Sequence, residues 1–250
     1  MAMGAMESVL ALVVGLLLAG LILFFTFLRR GQWPTLRRLS ALDALSADLG
    51  RSVESGTRLH LSLGDGTLYG PEASATLVGL ATLSQIAKAG SVSDKPPLAT
   101  SADGAVALLS QDVYRVAFRH QRAEDRYDPL LGRIAGLGPF GYAAGTMHTA
   151  PDEDVTATLV IGPQGREAAL VAEAGSRRGH VVGGTLDPVA QALLYVSADN
   201  PLIGEELFAT GAYLKVNRAH AASVQAQDIV RWVVIAAAIA LAALGTVGIL

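Results

Sequence analysis

Two glycine turns in this chain have residue types and spacing that could bind a small molecule. GDGTLYG follows a predicted strand and precedes a predicted helix, and GGTLD takes the same place before a later helix. Glycine lets backbone N–H groups approach an anion, and the helix dipole favours negative charge there. The chemistry would be recognition of a small anionic ligand or nucleotide. The candidate ligand-binding residues are Gly64, Asp65, Gly66, Thr67, Gly183, Gly184, Thr185 and Asp187.

The same turns also have a purely conformational explanation. Neither matches GxGxxG or GxxxxGK[ST], so the dinucleotide fingerprint and the P-loop are both missing. Asp65 would repel a phosphate, and a turn that needs positive φ at Gly64 or Gly66 accounts for the glycines without a ligand. We favour this explanation. The case for a binding crevice strengthens if the two turns meet in space, because α/β sheets bind ligands at the carboxyl ends of their strands.

A second candidate is the adjacent acid pair Glu205 and Glu206 in NPLIGEELFATGAYLK. Adjacent acids can serve a metal or an acid–base reaction, but they also start helices, because the helix dipole stabilises them there. We predict a helix that begins at Asn200-Pro201 or nearer Gly204 and buries its opposite face. Glu205 shares a face with Tyr213, so these two residues are candidates for a polar network or a partner contact.

Other catalytic sets are missing from the sequence. The five histidines are scattered without HExxH, and neither a GxSxG elbow nor a cysteine provides a nucleophile. The acidic group at 152–154 fits no known calcium loop. We therefore expect no metal and no cofactor. An enzyme would need Asp65, Asp187, Glu205 or Glu206 to converge, and this hypothesis ranks below two non-enzymatic ones.

Strands that alternate with helices must position these residues. The alternation predicts an α/β domain, in two or three layers, with a mixed, mostly parallel sheet. An amphipathic helix comes first, with Leu39, Leu42 and Leu45 in one stripe and Asp43 and Asp48 outside it. The predicted strands are 58–63, 96–100, 140–150, 155–163 and 180–185. The predicted helices are 72–90, 103 to about 127, 166–178 and 187–198.

The two ends of the chain predict transmembrane helices. Segment 8–28 has no charge and, as a helix, spans roughly 31 Å, which matches a bilayer core. Segment 229–250 carries only Arg231, near its start, where the side chain can reach the headgroups. The predicted organisation is a tail (1–7), a first span (8–28), a juxtamembrane linker with the amphipathic helix (29–52), a soluble α/β domain (53–216), a linker (217–228) and a second span (229–250).

Charge patterning predicts the orientation and the partners. Basic residues flank the central region and are absent from both tails, so the positive-inside rule predicts a cytoplasmic domain with both termini outside the cell membrane. These basic residues are Arg29, Arg30, Arg37, Arg38, Lys215, Arg218 and Arg231. The net charge of −3 and the absence of a further basic patch argue against nucleic acid. The expected partners are the lipid bilayer and either a second copy or another membrane protein.

Three segments carry a resemblance to a known family. GRSVESGTRLHLSLGDGTL, VSADNPLIGEELFATGAYL and QAQDIVR are similar to an uncharacterised family of bacterial membrane proteins with a domain of unknown function. The resemblance implies a membrane-attached domain and transfers no activity or catalytic residue. Our first hypothesis is a membrane-anchored interaction or assembly module. The second is a sensor for a small anionic ligand, and the third is a membrane-associated enzyme.

Overall fold

The computed structural model describes residues 2–28 and 36–246. They form ten α-helices, six strands and two 3₁₀ turns, at Glu124–Arg126 and Pro129–Leu131. In chain order the elements are α1 (Ala2–Leu28), α2 (Ser40–Ser55), β1 (Arg58–Ser62), α3 (Ala73–Gly90), β2 (Leu98–Ser101), α4 (Gly104–His120), β3 (Gly132–Ile134), α5 (Pro139–Met147), α6 (Thr149–Asp152), β4 (Val155–Ile161), α7 (Ala168–Ser176), β5 (His180–Gly184), α8 (Pro188–Ser197), β6 (Asn200–Leu202), α9 (Glu206–Tyr213) and α10 (Arg218–Thr246).

The chain divides into two compact units. One contains α1 and α10, which pack against each other, and the other is the α/β domain Arg38–Val216. Within the described residues one helical stretch, Arg218–Leu244, is long and apolar enough to cross a membrane. The apolar stretch of α1, Ala11–Phe27, is shorter. One candidate span is therefore present, and the second span stays a prediction.

The α/β domain is built on a six-stranded sheet in which every pairing is parallel. The strand order is β3-β2-β1-β4-β5-β6. This confirms the α/β class and makes the sheet wholly parallel rather than mixed. Strand β4 is buried at every position except Thr156. A strand buried on both faces needs helices on both sides, because successive side chains point to opposite faces.

Two helical layers cover the sheet. On one side α3 packs between α4 and α9 and also contacts α2. On the other side α7 packs between α5 and α8, and its Val171 and Ala172 join Val160, Val181 and Leu194 in a buried cluster. Gly175 has no room for a side chain, since an added Cβ would lie 2.8 Å from Thr158, so α7 sits directly on the sheet.

The predicted strand at 140–150 is wrong. This segment forms α5 and α6 instead. Gly138, with a φ of 69°, turns the chain, and Pro139 supplies the fixed φ that suits a first helical position. Tyr142, Ala143 and Thr146 are buried at helical spacing, so tertiary packing selects the helix.

Three other details complete the comparison with the sequence-based expectations. The short strand β3 was not predicted. Asn200-Pro201 lies in strand β6, and α9 begins at Glu206, after Gly204 with its φ of 60°, so the later of the two predicted helix starts agrees with the structure. Asp48 is buried, at 3% exposure, although it lies outside the leucine stripe.

Both edges of the sheet are short. β3 and β6 have three residues each, and β6 contains Pro201. A proline has no N–H to donate, so it weakens an edge strand as a template for further strands.

Candidate functional site

The strand order creates a switch point between β1 and β4, where the chain connections diverge. Ligands of doubly wound sheets bind outside the carboxyl ends of the strands at this position. The loops that follow β1, β4 and β5 meet there around a crevice of about 160 Å³. Asp65 comes from the first glycine turn, and Thr185 and Asp187 come from the second. The two turns therefore meet in space.

The glycines of the first turn serve contact between loops. Gly64 has a φ of 80°, and a Cβ there would overlap Gln164 and the carbonyl of Pro163. A Cβ at Gly66 would overlap the Pro163 ring and lie 2.6 Å from Thr76 Oγ1. The space beside this turn that a ligand would need is therefore filled by the chain's own loop after β4.

The glycines of the second turn belong to strand β5 and are buried. A Cβ at Gly183 would lie 3.0 Å from Leu194 Cδ2, and one at Gly184 would lie 2.9 Å from Leu202 Cβ. Both positions let α8 and the neighbouring strand pack closely. Thr67, in the first turn, donates its hydroxyl to the carbonyl of Tyr69 at 2.8 Å.

The buried side chain of Tyr142, on α5, fills the switch point next to β1, β2 and the first glycine turn. Its hydroxyl lies 2.6 Å from Ser62 Oγ and 3.0 Å from Thr100 Oγ1, and it accepts the N–H of Gly64 at 3.3 Å. Burial raises the pKa of Tyr142, so the phenol stays protonated. In nucleotide-binding sheets the backbone N–H groups of this first turn point at phosphate. Here the N–H of Gly64 is already satisfied.

Gln164 and His60 extend this network. Gln164 Nε2 donates to the carbonyl of Ser62 at 2.9 Å, and its backbone N–H donates to Thr185 Oγ1 at 3.1 Å. His60 Nε2 lies 2.9 Å from Thr100 Oγ1. Burial, with a smaller effect of Arg133, lowers the pKa of His60 to about 3, so the ring is neutral.

The remaining crevice is negative. It is lined by the carboxylates Asp65, Glu72, Glu167 and Asp187. Burial raises the pKa of Asp65, and the negative charge of Glu167 adds to the effect. Glu167 Oε1 accepts the N–H of Gly165 at 2.6 Å, and Asp187 caps α8 by accepting the N–H of Ala190 at 2.8 Å. The volume is below the roughly 300 Å³ typical of small-molecule sites.

A second polar group lies at the amino ends of the strands and was missed in the sequence. Asp48 Oδ2 is 2.5 Å from Nδ1 of His180, and Asn200 Nδ2 is 2.7 Å from Nε2 of the same ring. Asp48 also pairs with Arg51. Both ring nitrogens of His180 have a hydrogen-bond partner, so the triad holds α2 to β5 and β6. Asp48 and His180 are 132 positions apart, and no local pattern connects them.

Asp48 and His180 border an open groove of about 590 Å³. A chain of hydroxyls runs along it, from Ser55 to Thr57 at 2.8 Å and from Thr57 to Thr156 at 2.8 Å. These polar groups bond to one another. In the part of the chain that is described, no three His, Cys, Asp or Glu side chains form a group that could hold a metal ion.

The acid pair lies away from the crevice. Glu205 is exposed and directly precedes α9, whereas Glu206 is half-buried and its Oε2 accepts the N–H of Ile203 at 3.3 Å. Tyr213 is half-buried at the end of α9. Glu206 is therefore the more buried of the two acids. The polar contact predicted for Glu205 and Tyr213 stays a prediction.

Fold and site together define a class: a doubly wound α/β domain, joined to a helical pair, whose switch point is closed by its own side chains. The chain belongs to the family described as domain of unknown function (DUF6754), which it matches over residues 2–250. No curated protein and no solved structure matches it.

Proposed function

We propose that this protein is a membrane-attached assembly module that binds a protein partner through the outer face of helix α8. The observation that carries the proposal is that α8 has no charged residue and exposes large apolar side chains on one side. The inner side buries Ala190 and Leu194. The outer side exposes Val189 (48%), Tyr195 (69%) and Val196 (86%). A contiguous exposed apolar surface on a folded domain usually marks a contact with another molecule.

The helix itself is well anchored, so its exposed face is not a frayed segment. Asp187 caps its first turn, and Pro188 occupies the first helical position. Gln191 ties it to the preceding and following loops: Nε2 donates to the carbonyl of Thr185 at 3.0 Å, and Oε1 accepts the N–H of Gly204 at 3.1 Å. The adjacent Ile203 adds a further exposed apolar side chain.

A lipid surface fits this face poorly. Helices that lie on membranes carry lysine and arginine along their polar side, and α8 has no charged residue. The nearest charges along the chain are the carboxylates Asp187 and Asp199, one beyond each end of the helix. The closed switch point likewise supports recognition by surface contact rather than by an enclosed ligand.

The assembly function is tested by the mass of the native complex. The full chain, tagged and extracted gently from its own membrane, should migrate on native electrophoresis well above one chain. Val196→Glu should lower that mass, because a carboxylate at the contact would lose its water. Leu108→Glu, at an exposed leucine on α4 (67% exposed), is the control. A wild-type chain that migrates alone would contradict the proposal.

We place the domain in the cytoplasm, with α10 and α1 as two membrane helices and both termini outside. The arginine-rich flanks support this orientation through the positive-inside rule. Because the chain has no cysteine, one introduced thiol reports topology cleanly. Asp112→Cys on exposed α4 should react with a membrane-impermeant maleimide in inverted vesicles and not in intact cells. The reverse result would overturn this orientation.

A second candidate function is binding of a small ligand at the crevice, because the two glycine turns converge there. The predicted ligand is anionic, and the four carboxylates oppose it. A thermal-shift screen with nucleotides and phosphorylated metabolites tests this function. A shift that grows in Asp65→Asn would support it, and the absence of any shift would remove it.

A further inference from the structure

We infer that the partner of the α8 face is a second copy of this chain, packed α8 against α8 about a two-fold axis. This inference rests on the proposed function and names the partner. A two-fold contact joins identical surfaces, so the surface must be complementary to itself. Three features of α8 meet that requirement: the spacing of its outer side chains, the absence of charge and the exposed area.

The spacing is that of a helix–helix seam. Val189, Leu193 and Val196 lie at i, i+4 and i+7, which places them on one stripe. Ala192 lies in the same stripe near the middle of the helix and is exposed. A small residue at the centre lets two helix backbones approach closely, while the larger residues on either side fill the space around the crossing.

Charge permits a copy to bind. The stripe itself is uncharged, so two copies bring no like charges together at the seam. The nearest acids along the chain lie beyond the two ends of the stripe and not within it: Asp187 caps α8, and Asp199 accepts the N–H of Val181 at 2.8 Å.

The exposed area suits two membrane-attached copies. The outer side chains of α8, with Ile203, expose on the order of 500 Å², which is as large as the biggest apolar patch on a typical monomer. Two such faces bury roughly 1,000 Å², the lower limit of a specific interface. Confinement of both copies to one membrane raises their effective concentration, so an interface of this size suffices.

Cysteine cross-linking tests the pairing directly, since the native chain supplies no thiol of its own. Full-length Ala192→Cys, in lipid nanodiscs large enough for two chains or in native membranes, should give a cross-linked dimer with a short bismaleimide. Asp112→Cys, on the exposed surface of α4, should give little. Adding Val196→Glu to Ala192→Cys should reduce the cross-linked dimer by about tenfold, because the new carboxylate would lose its water at the seam.

Two results would overturn this inference. One is equal cross-linking from Ala192→Cys and Asp112→Cys, which would indicate random collision. The other is no dimer from Ala192→Cys or from Leu193→Cys. If the native complex then still loses mass in Val196→Glu, the assembly function stands and the partner is a different protein. If the native complex is a single chain, the proposed function fails together with the inference.

Discussion

Two tyrosines of the α/β domain have opposite surroundings. The hydroxyl of Tyr142, at the switch point, bonds to side chains and backbone of β1 and β2 and is fully buried. Tyr195, on the outer face of α8, is 69% exposed among other apolar side chains. In doubly wound sheets the switch point is the usual binding site. Here the switch point is filled by hydrogen bonds within the chain. The exposed apolar surface lies instead on helix α8.

The largest expected effect on the closed switch point comes from a substitution at Gly66. Gly66→Ala should lower the free energy of unfolding by about 3 kcal/mol, because the new Cβ would overlap Pro163 and crowd Thr76. Chemical denaturation of the full chain in detergent measures this. Gly50→Ala is the control. Gly50 lies within α2, and a Cβ there meets no atom within 4 Å, so the alanine should slightly stabilise the helix. A tolerated Gly66→Ala would mean that the loops can separate to admit a ligand.

Acid should weaken the closed region through His60. Its pKa in the fold is about 3, against an ordinary value of 6.5, so the unfolded chain takes up the proton first. Stability is full above pH 6.5 and falls as the pH drops towards 3. Between pH 6.5 and 5 the loss should be roughly 2 kcal/mol, at 1.36 kcal/mol per pH unit. His60→Gln should flatten this slope, and an unchanged slope in this variant would contradict the assignment to His60.

The hydroxyl at the centre of the network can be removed alone. Tyr142→Phe should cost about 1 to 3 kcal/mol, because the N–H of Gly64 and the hydroxyls of Ser62 and Thr100 lose a buried partner. Tyr195→Phe removes the same atom from the exposed face and should not change the unfolding midpoint. Equal effects of the two substitutions would erase the contrast between the regions.

A smaller effect on stability is expected from Asp65, which lines the crevice. The raised pKa of Asp65 means that the folded state holds its proton more tightly than the unfolded chain. Stability from this group is present at low pH and is lost as the pH rises through its folded pKa, above the ordinary value of 3.8. Asp65→Asn should therefore stabilise the protein slightly at pH 7, by well under 1 kcal/mol after solvent screening. Destabilisation would show that the carboxylate has a favourable partner.

The smallest stability effect should come from the open face. Val196 is 86% exposed, so Val196→Ser should change the free energy of unfolding of the unassembled chain by less than about 0.5 kcal/mol. The same substitution should weaken the α8 contact between chains. A large loss of stability in the single chain would mean that this side chain is already covered within the protein.

Local patterns predicted the helices that carry strong periodicity and the four longest strands, and they fixed the α/β class. They failed where tertiary packing decides. Segment 140–150 forms α5 and α6 because Tyr142 is buried at the switch point. Strands β3 and β6 are too short to show alternation. The wholly parallel order depends on which strands pair, which is a property of the complete sheet.

The candidate site was predictable in part. Its position at two converging glycine turns followed from strand–loop–helix patterning, and the structure brings Asp65, Thr185 and Asp187 to one crevice. The side chains that close it, Tyr142 and Gln164, carry no local signal. Contacts such as Ser62 to Gln164, 102 positions apart, and Asp48 to His180 arise only when the sheet assembles.

Pro201 would limit the size of the proposed assembly. Growth through sheet edges has no built-in end, because each added strand exposes a new template, and this is how fibres extend. A proline at the β6 edge disfavours that route, while a two-fold helix contact is complete once two copies have met. Chains concentrated in one membrane would then pair and stop, instead of polymerising along their sheets.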